Sequence, residues 1–177
     1  MVYYSNEEIL IRDMVSSDAQ IITDSEIKQG WKQTIDKYNK RLKDQEDGKS
    51  YAIVAEYKGC IAGYINVYLN SDEGPYKNLG IPEIVDLGVL KEYRNKGIGN
   101  KLLDIAEDIA SKHSDQVFLA VGLHNGYGEA QRMYVKRGYI PDGSGVWYEG
   151  QVLPQYEKCF NDDSLVLFFA KSLTKVN

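Results

Sequence analysis

Residues 91–101 form a basic segment in an acidic chain. The 177 residues carry a formal net charge of −5, whereas this segment holds four basic side chains and one acidic side chain. Within it, Arg94, Gly97 and Gly99 follow the pattern Arg-x-x-Gly-x-Gly. Glycine lets a ligand approach the backbone without a Cβ in the way, and arginine adds a positive charge. The pattern therefore indicates a binding site for a phosphate group.

The elements around this pattern place it where an anion is bound well. Apolar residues recur every three or four positions from Ile98 to Ala110, which predicts a helix from Gly97 to about Lys112. A strand is predicted directly before it, from Glu83 to Leu90. The first N–H groups of a helix and its dipole attract anions. A diphosphate therefore fits the start of this helix.

Two common nucleotide-binding motifs are excluded by single positions. Gly48-Lys49-Ser50 has the end of a Walker A loop, but Lys43 stands where its first glycine is required. A dinucleotide-binding fingerprint needs a third glycine where Leu102 stands. The acidic net charge also argues against a nucleic-acid partner, because such binding depends on neutralising phosphates with Lys and Arg.

The remaining elements predict an α+β fold with a mixed sheet. The strand before the basic segment, the helix after it and the next strand form a βαβ unit, whose two strands should be parallel. Strands on either side of Lys58-Gly59 predict an antiparallel hairpin. The other predicted elements are strands Glu8–Arg12, Ser50–Tyr57, Cys60–Leu69, Gln116–Leu123 and Ser164–Lys171, and helices capped by Ser16 or Ser17, at Gln29–Gln45 and at Glu129–Arg137.

Length and composition restrict the class of protein. The 177 residues fit one domain, and we expect a single domain over residues 1–177. We expect neither a signal peptide nor a membrane partner, because no apolar run of roughly 18 residues occurs. Cys60 and Cys159 have no metal-ligand spacing to each other or to His113 and His124. We therefore expect no metal and two reduced thiols in a cytoplasmic protein.

Two linked stretches resemble motifs of the GNAT superfamily of N-acetyltransferases. V-x-L-x-V-L-K-E-Y-R-N-K-G-I-G-N-K-L-L, from Val85 on, is similar to the acetyl-CoA-binding signature of that family. A-Q-R-M-Y-V-K-R-G-Y, from Ala130 to Tyr139, is similar to the motif that follows it. The resemblance covers residues 83–139. It implies a GNAT-like mixed, largely antiparallel sheet with one splayed parallel strand pair and helices on both faces.

The resemblance also implies the reaction and the residues that perform it. An acetyl group would pass from acetyl-CoA to a primary amine by direct attack in a ternary complex. The implied pyrophosphate cradle is Arg94, Asn95, Lys96, Gly97, Ile98, Gly99 and Asn100. The implied pantetheine-binding strand residues are Leu87, Gly88 and Val89, of which Gly88 suits either a β-bulge or close packing. Asn125 matches a cofactor-binding asparagine imperfectly, since it lies five residues before Ala130 rather than three.

Tyr134 and Glu83 are the catalytic residues that the resemblance implies. Tyr134 matches a tyrosine that protonates the leaving thiolate, and a tyrosine is protonated at neutral pH. Glu83 matches a glutamate that acts as general base in the histone-type branch. Asp86 and a water molecule are the alternative bases.

Acidic residues suggest what the acceptor is. Residues 70–86 carry a net charge of −3 and residues 141–163 carry −4, and negative potential at a cleft concentrates cations. We expect a small cationic amine, with Trp31, Trp147 or Tyr148 as aromatic walls. The alternatives are a protein N-terminal or lysine acetyltransferase and a non-catalytic acyl-CoA-binding sensor. The acyl chain preference and the formation of a homodimer are left open.

Overall fold

The computed structural model describes residues 1–173, which form nine strands and four α-helices. Two compact units contain these elements: one comprises Met1–Tyr68 and Val85–Ile109, and the other comprises Leu69–Ile84 and the chain from Ala110 on. The prediction of one domain includes residues 174–177, which lie outside the described part, and it stays a prediction. The predicted bounds of the strands and of the third and fourth helices agree to within one residue. The first helix begins at Ser16 with Val15 as its N-cap, so the prediction of Ser16 or Ser17 as the cap is wrong.

The first unit is built on antiparallel strands. They pair in chain order and are β1 (Val2–Ser5), β2 (Ile9–Asp13), β3 (Ser50–Tyr57) and β4 (Cys60–Tyr68). The predicted hairpin between β3 and β4 turns at Lys58 and Gly59, whose φ values of +50° and +80° fit a two-residue turn. β1 was not predicted, because its four residues give too short a pattern.

Two helices of the first unit pack on one face of β3 and β4. They are α1 (Ser16–Lys28) and α2 (Ile35–Glu46), and Ile22, Tyr38 and Tyr64 belong to the core that they bury. The prediction that α2 begins at Gln29 is wrong. Gly30 has φ +94° and the N–H of Trp31 donates to the Glu26 carbonyl at 2.9 Å, a glycine-based cap that ends α1 and starts a loop.

The helix α3 (Ile98–Ser111) packs on the other face of this sheet. A Cβ placed on Gly63 would lie 3.3 Å from Cδ1 of Leu102, whereas the neighbouring Tyr64 faces α1 and α2. Successive residues of a strand point to opposite faces. The sheet therefore carries helices on both faces, as predicted.

The second unit contains the parallel pair. Glu83 and Ile84, the first residues of β5 (Glu83–Val89), pair in parallel with Phe118 and Leu119 of β6 (Gln116–Gly122). The other strands are antiparallel, with β6 next to β9 (Leu165–Ser172), then β7 (Ile140–Tyr148), then β8 (Gln151–Val152). A helix, α4 (Gly128–Lys136), ends before Gly138 at φ +87°. The predicted α+β class is confirmed.

Candidate active site

The cradle predicted for a diphosphate lies in the first unit. A short 3-10 turn, Lys91–Tyr93, follows β5, and Asn95 and Gly97 then adopt φ values of +61° and +77°. The first bond within α3 runs from the N–H of Lys101 to the Gly97 carbonyl at 3.0 Å. The N–H groups of Ile98 and Gly99 precede that bond and have no acceptor within the helix. No atom lies within 4 Å of a Cβ placed on Gly97, so a ligand can approach this backbone.

The cationic side chains of this segment lie against other groups. The Arg94 guanidinium donates to the Val89 carbonyl at 3.3 Å. The Lys96 ammonium lies 4.8 Å from the ring centre of Tyr57, and the Lys101 ammonium lies 4.5 Å from that of Tyr4. Backbone N–H groups are therefore the main anion-binding feature of the cradle, and a phosphate contact by Lys96 stays a prediction.

The strand residues predicted to bind pantetheine follow a kink in β5. The left-handed residue is Asp86, at φ +58°, and not Gly88. A Cβ placed on Gly88 would lie 2.5 Å from the hydroxyl oxygen of Tyr64. Gly88 is therefore closely packed, and its place in a β-bulge stays a prediction. Leu87 and Val89 lie on either side of this packed glycine.

A buried carboxylate lies beneath the same strand. Glu26 of α1 is fully buried and accepts hydrogen bonds from the hydroxyls of Tyr38 and Tyr64. Burial raises the pKa of both tyrosines, which keeps their hydroxyls protonated as donors. Glu26 was not among the residues predicted from the sequence. Its spacing of four from the core residue Ile22 could have revealed it, because residues four apart share a helix face.

Asp86, one of the alternative bases, is held by two cations of α2. The Lys37 ammonium lies 3.2 Å from Oδ1 of Asp86, and the Arg41 guanidinium lies 2.7 Å from Oδ2. Both carboxylate oxygens are thus engaged in ion pairs.

Tyr134 lies in α4 of the second unit. Its side chain is 7% exposed, and its ring packs edge-on against Tyr139 at 5.8 Å between centroids. Burial raises the pKa of Tyr134, so the hydroxyl is protonated at neutral pH, as a proton donor must be. Other tyrosines share this protonation state at neutral pH, and the role of Tyr134 as proton donor stays a prediction.

Side-chain hydrogen bonds hold the turn that joins β6 to α4. Nδ1 of His124 accepts the N–H of Gly126 at 3.0 Å, and Nε2 lies 2.9 Å from Asp163. The Tyr127 hydroxyl donates to the same carboxylate at 2.9 Å. His124 therefore acts as a cap of this turn. Asn125 is exposed within the turn, and its role in cofactor binding stays a prediction.

A cavity of about 320 Å³ lies in the second unit. Three carboxylate side chains and an apolar floor are among its lining residues, namely Glu73, Glu83, Glu149, Trp147, Val166 and Phe168. The Trp147 and Phe168 rings are 5.3 Å apart in an edge-on contact. Glu83, predicted as a base, and Trp147, predicted as an aromatic wall, are thus brought together. Trp31 belongs to the first unit.

Residues 1–173 contain neither a candidate metal site nor a candidate membrane-spanning helix. No group of three or more His, Cys, Asp or Glu side chains in that range could hold a metal ion. None of the helices described there has the length and apolar character needed to cross a bilayer.

Comparison with known proteins places the chain in a family. The model of the acetyltransferase (GNAT) family matches residues 17–139. An uncharacterized N-acetyltransferase of Chlorobaculum tepidum is 28% identical over 109 residues, which are 60% of this chain and 63% of the relative, so the match spans less than two thirds of that protein.

Solved structures share the fold. RimL, a ribosomal L7/L12 alpha-N-protein acetyltransferase, has a TM-score of 0.70 at 11% identity, with 98% of this chain and 94% of RimL covered. Arabidopsis thaliana Naa50, in complex with the bisubstrate analogue CoA-Ac-MVNAL, has a TM-score of 0.64 at 19% identity, with 94% and 99% covered. These likenesses show the fold, and the family model covers more than half of the residues: the chain belongs to the acetyltransferase (GNAT) family.

Proposed function

We propose that the protein transfers an acetyl group from acetyl-CoA to a primary amine by direct attack in a ternary complex. The observation that carries this proposal is the start of α3, where left-handed Asn95 and Gly97 expose backbone N–H groups at the positive end of a helix. A diphosphate such as that of CoA suits this site. The complex of a plant neighbour with a CoA-acetyl-peptide analogue supports the same co-substrate.

The reaction needs one proton removed and one supplied. The neutral amine attacks the thioester carbonyl, a C–N bond forms, and the C–S bond breaks to release a thiolate. We assign Tyr134 as the donor to that thiolate, because it is buried and protonated. Either Glu83 or a water molecule takes the proton of the amine. Asp86 is a poorer choice of base than Glu83 or water, because a proton on its carboxylate would weaken its ion pairs with Lys37 and Arg41.

The acceptor that we propose is a small cationic amine, bound in the cavity of the second unit. Glu73, Glu83 and Glu149 give this cavity a negative lining, and Trp147, which also lines it, is a residue type that binds ammonium groups. A protein N-terminus is the alternative acceptor, since RimL is a protein N-acetyltransferase. An N-terminal amine also carries a positive charge when protonated, so the two acceptors must be separated by experiment.

A thiol-release assay with a panel of acceptors tests this proposal. The panel contains a diamine, an amino sugar, an uncharged short amine and a peptide with a free N-terminus. We expect release with the small cationic amines above the other two. Release with the peptide alone would favour a protein acceptor. Acetyl-CoA binding by calorimetry without release from any acceptor would indicate the non-catalytic sensor instead.

The charge of the cavity predicts how the rate depends on salt. We expect kcat/KM for a cationic acceptor to fall between low and physiological salt, because screening weakens attraction by the three glutamates. Glu149→Gln should lower kcat/KM at low salt by about threefold or more, since electrostatic steering is worth at least that much. Glu157→Gln removes the same charge from an exposed position that does not line the cavity, and it serves as the matched control. A salt-independent rate would argue against a cationic acceptor.

We also propose that the protein acts in the cytoplasm. Cys60 and Cys159 are both free, exposed thiols in the described chain. Exposed thiols remain reduced where glutathione and thioredoxin are present. Fractionation of cells tests this proposal, and recovery of the protein outside the cytoplasm would contradict it.

A further inference from the structure

The kink in β5 is placed directly before the strand residues assigned to pantetheine. Asp86 has φ +58°, a left-handed conformation that is unfavourable for a residue with a Cβ. Leu87, Gly88 and Val89 follow it in the same strand. The direction of their backbone N–H and C=O groups therefore depends on the conformation of Asp86. A strained backbone of this kind persists only where its surroundings hold it.

Side chains of α2 supply the groups that hold Asp86. Lys37 and Arg41 are four residues apart and thus lie on one face of the helix. Lys37 approaches Oδ1 at 3.2 Å, while Nη2 and Nε of Arg41 approach Oδ2 at 2.7 Å and 2.9 Å. The three side chains are only 26%, 17% and 19% exposed, in the order Lys37, Arg41, Asp86. Solvent and salt therefore screen these ion pairs less than they screen pairs on an open surface.

Arg41 is itself fixed by a second anchor. It donates to the Tyr68 hydroxyl at 2.5 Å, and that hydroxyl donates to Asp44 at 2.5 Å. Burial alone would lower the pKa of Arg41, but Asp86 and Tyr68 more than offset this effect and the pKa is raised. The guanidinium thus connects α2, β4 and β5 and is not free to follow a moving carboxylate.

Close packing holds the strand on the other side of the kink. The Tyr64 ring lies against Gly88, and its hydroxyl donates to buried Glu26. The Lys37 ammonium lies 5.8 Å from the centre of the same ring. The backbone of β5 is therefore fixed at residue 86 by charge and at residue 88 by packing.

We propose that Asp86 is a positioning residue for acetyl transfer, whose ion pairs with Lys37 and Arg41 hold the kink that directs the backbone of Leu87–Val89 toward the thioester. This inference rests on the proposed function of that strand. Asp86 neither touches the reacting atoms nor accepts the proton of the amine. Because a misplacement of about 1 Å can cost about a hundredfold in rate, the ion pairs should affect kcat more than binding.

Kinetics of Asp86→Asn test the proposal, since this change removes the charge and keeps the shape. We expect kcat to fall about tenfold or more, with KM for acetyl-CoA within about twofold of its original value. The acidic limb of the pH–rate profile should remain. In the double variant with Arg41→Met, kcat should fall little further than in either single variant, because both changes disrupt the same pair.

Two further variants complete the design. Asp47→Asn, which disrupts the exposed pair with Lys43 at the end of α2, should leave kcat unchanged and serves as the matched control. Lys37→Met, which keeps the Arg41 pair, should lower kcat by a smaller factor and provides the test if Asp86→Asn does not fold.

The outcomes separate this inference from the proposed function. An active parent enzyme whose kcat is unaffected by Asp86→Asn or, where that variant does not fold, by Lys37→Met overturns the inference alone. Loss of the acidic limb in Asp86→Asn would identify Asp86 as the base and would also overturn it. A parent protein that neither binds acetyl-CoA nor releases thiol with any acceptor overturns the proposed function, and the inference falls with it.

Discussion

Gly88→Ala is expected to destabilise the protein by a calculable amount. The new Cβ would lie 2.5 Å from the Tyr64 hydroxyl oxygen and 2.8 Å from Cε1, both inside van der Waals contact. Tyr64 is 3% exposed and bound to buried Glu26, so its ring has no room to retreat. We therefore take the upper end of the usual overpacking cost, about 3 kcal/mol. Replacing glycine also restricts the unfolded chain, which stabilises the folded protein by about 0.5–1 kcal/mol and offsets part of this cost.

The net loss of about 2 kcal/mol corresponds to a melting temperature lower by about 4–8 °C for a chain of this length. Urea unfolding followed by circular dichroism measures the free energy directly. Gly128→Ala is the matched control, because Gly128 has helical φ and ψ of −57° and −39° and no atom within 4 Å of its Cβ position. The control should be as stable as the original protein or more stable.

A loss below about 0.5 kcal/mol for Gly88→Ala would refute the packing argument, since the expected net loss is about 2 kcal/mol. The clash can also be assigned to its partner. In a Tyr64→Ala background the same substitution should cost little, because the ring that it meets is absent. If Gly88→Ala destabilises the Tyr64→Ala variant as much as the original protein, the new Cβ clashes with a group other than Tyr64.

Three other predictions concern binding, turnover and pH. Gly97→Glu should weaken acetyl-CoA binding, measured by calorimetry, far more than Gly97→Gln. Both side chains strain the left-handed backbone at this position, but only glutamate repels a diphosphate. Equal effects of the two substitutions would contradict the assignment of the cradle. Tyr134→Phe should lower kcat by about a hundredfold while acetyl-CoA affinity changes little. If kcat falls less than about threefold, Tyr134 contributes packing and not a proton. Burial would raise the pKa of Asp44, but hydrogen bonds from Lys40 and Tyr68 outweigh it and lower the pKa. Asp44→Asn should therefore reduce the free energy of unfolding at pH 7, and the difference should shrink as pH falls below the unfolded value of about 3.9; a difference that persists at pH 2 would refute this assignment.

The strand, turn and helix that carry the predicted cradle could be predicted from sequence because their determinants are local. The preceding strand, the glycines at 97 and 99 and the apolar period of α3 all lie between Glu83 and Ser111. The same holds for the hairpin at Lys58 and Gly59, where the two-residue turn pairs Tyr57 with Cys60. Local patterns of this kind survive folding because tertiary contacts reinforce them.

The groups that hold β5 could not be predicted, since they join distant parts of the chain. Glu26 meets Tyr64 across 38 residues, and Arg41 meets Asp86 across 45 residues. No pattern within a helix or strand specifies such partners. β7 also escaped prediction, because Gly143 and Gly145, each at φ +87°, interrupt the alternation that identifies a strand.

Glu26, Tyr38 and Tyr64 constrain how this sequence can diverge. Replacing either tyrosine by phenylalanine removes one donor from a buried carboxylate, and replacing the glutamate leaves two buried hydroxyls without their acceptor. Each single step leaves a buried polar group unsatisfied and costs about 1–3 kcal/mol or more. A wholly apolar trio of similar volume would have no such defect. A mutational path between the two states thus crosses less stable intermediates, and the three positions should be exchanged together or kept.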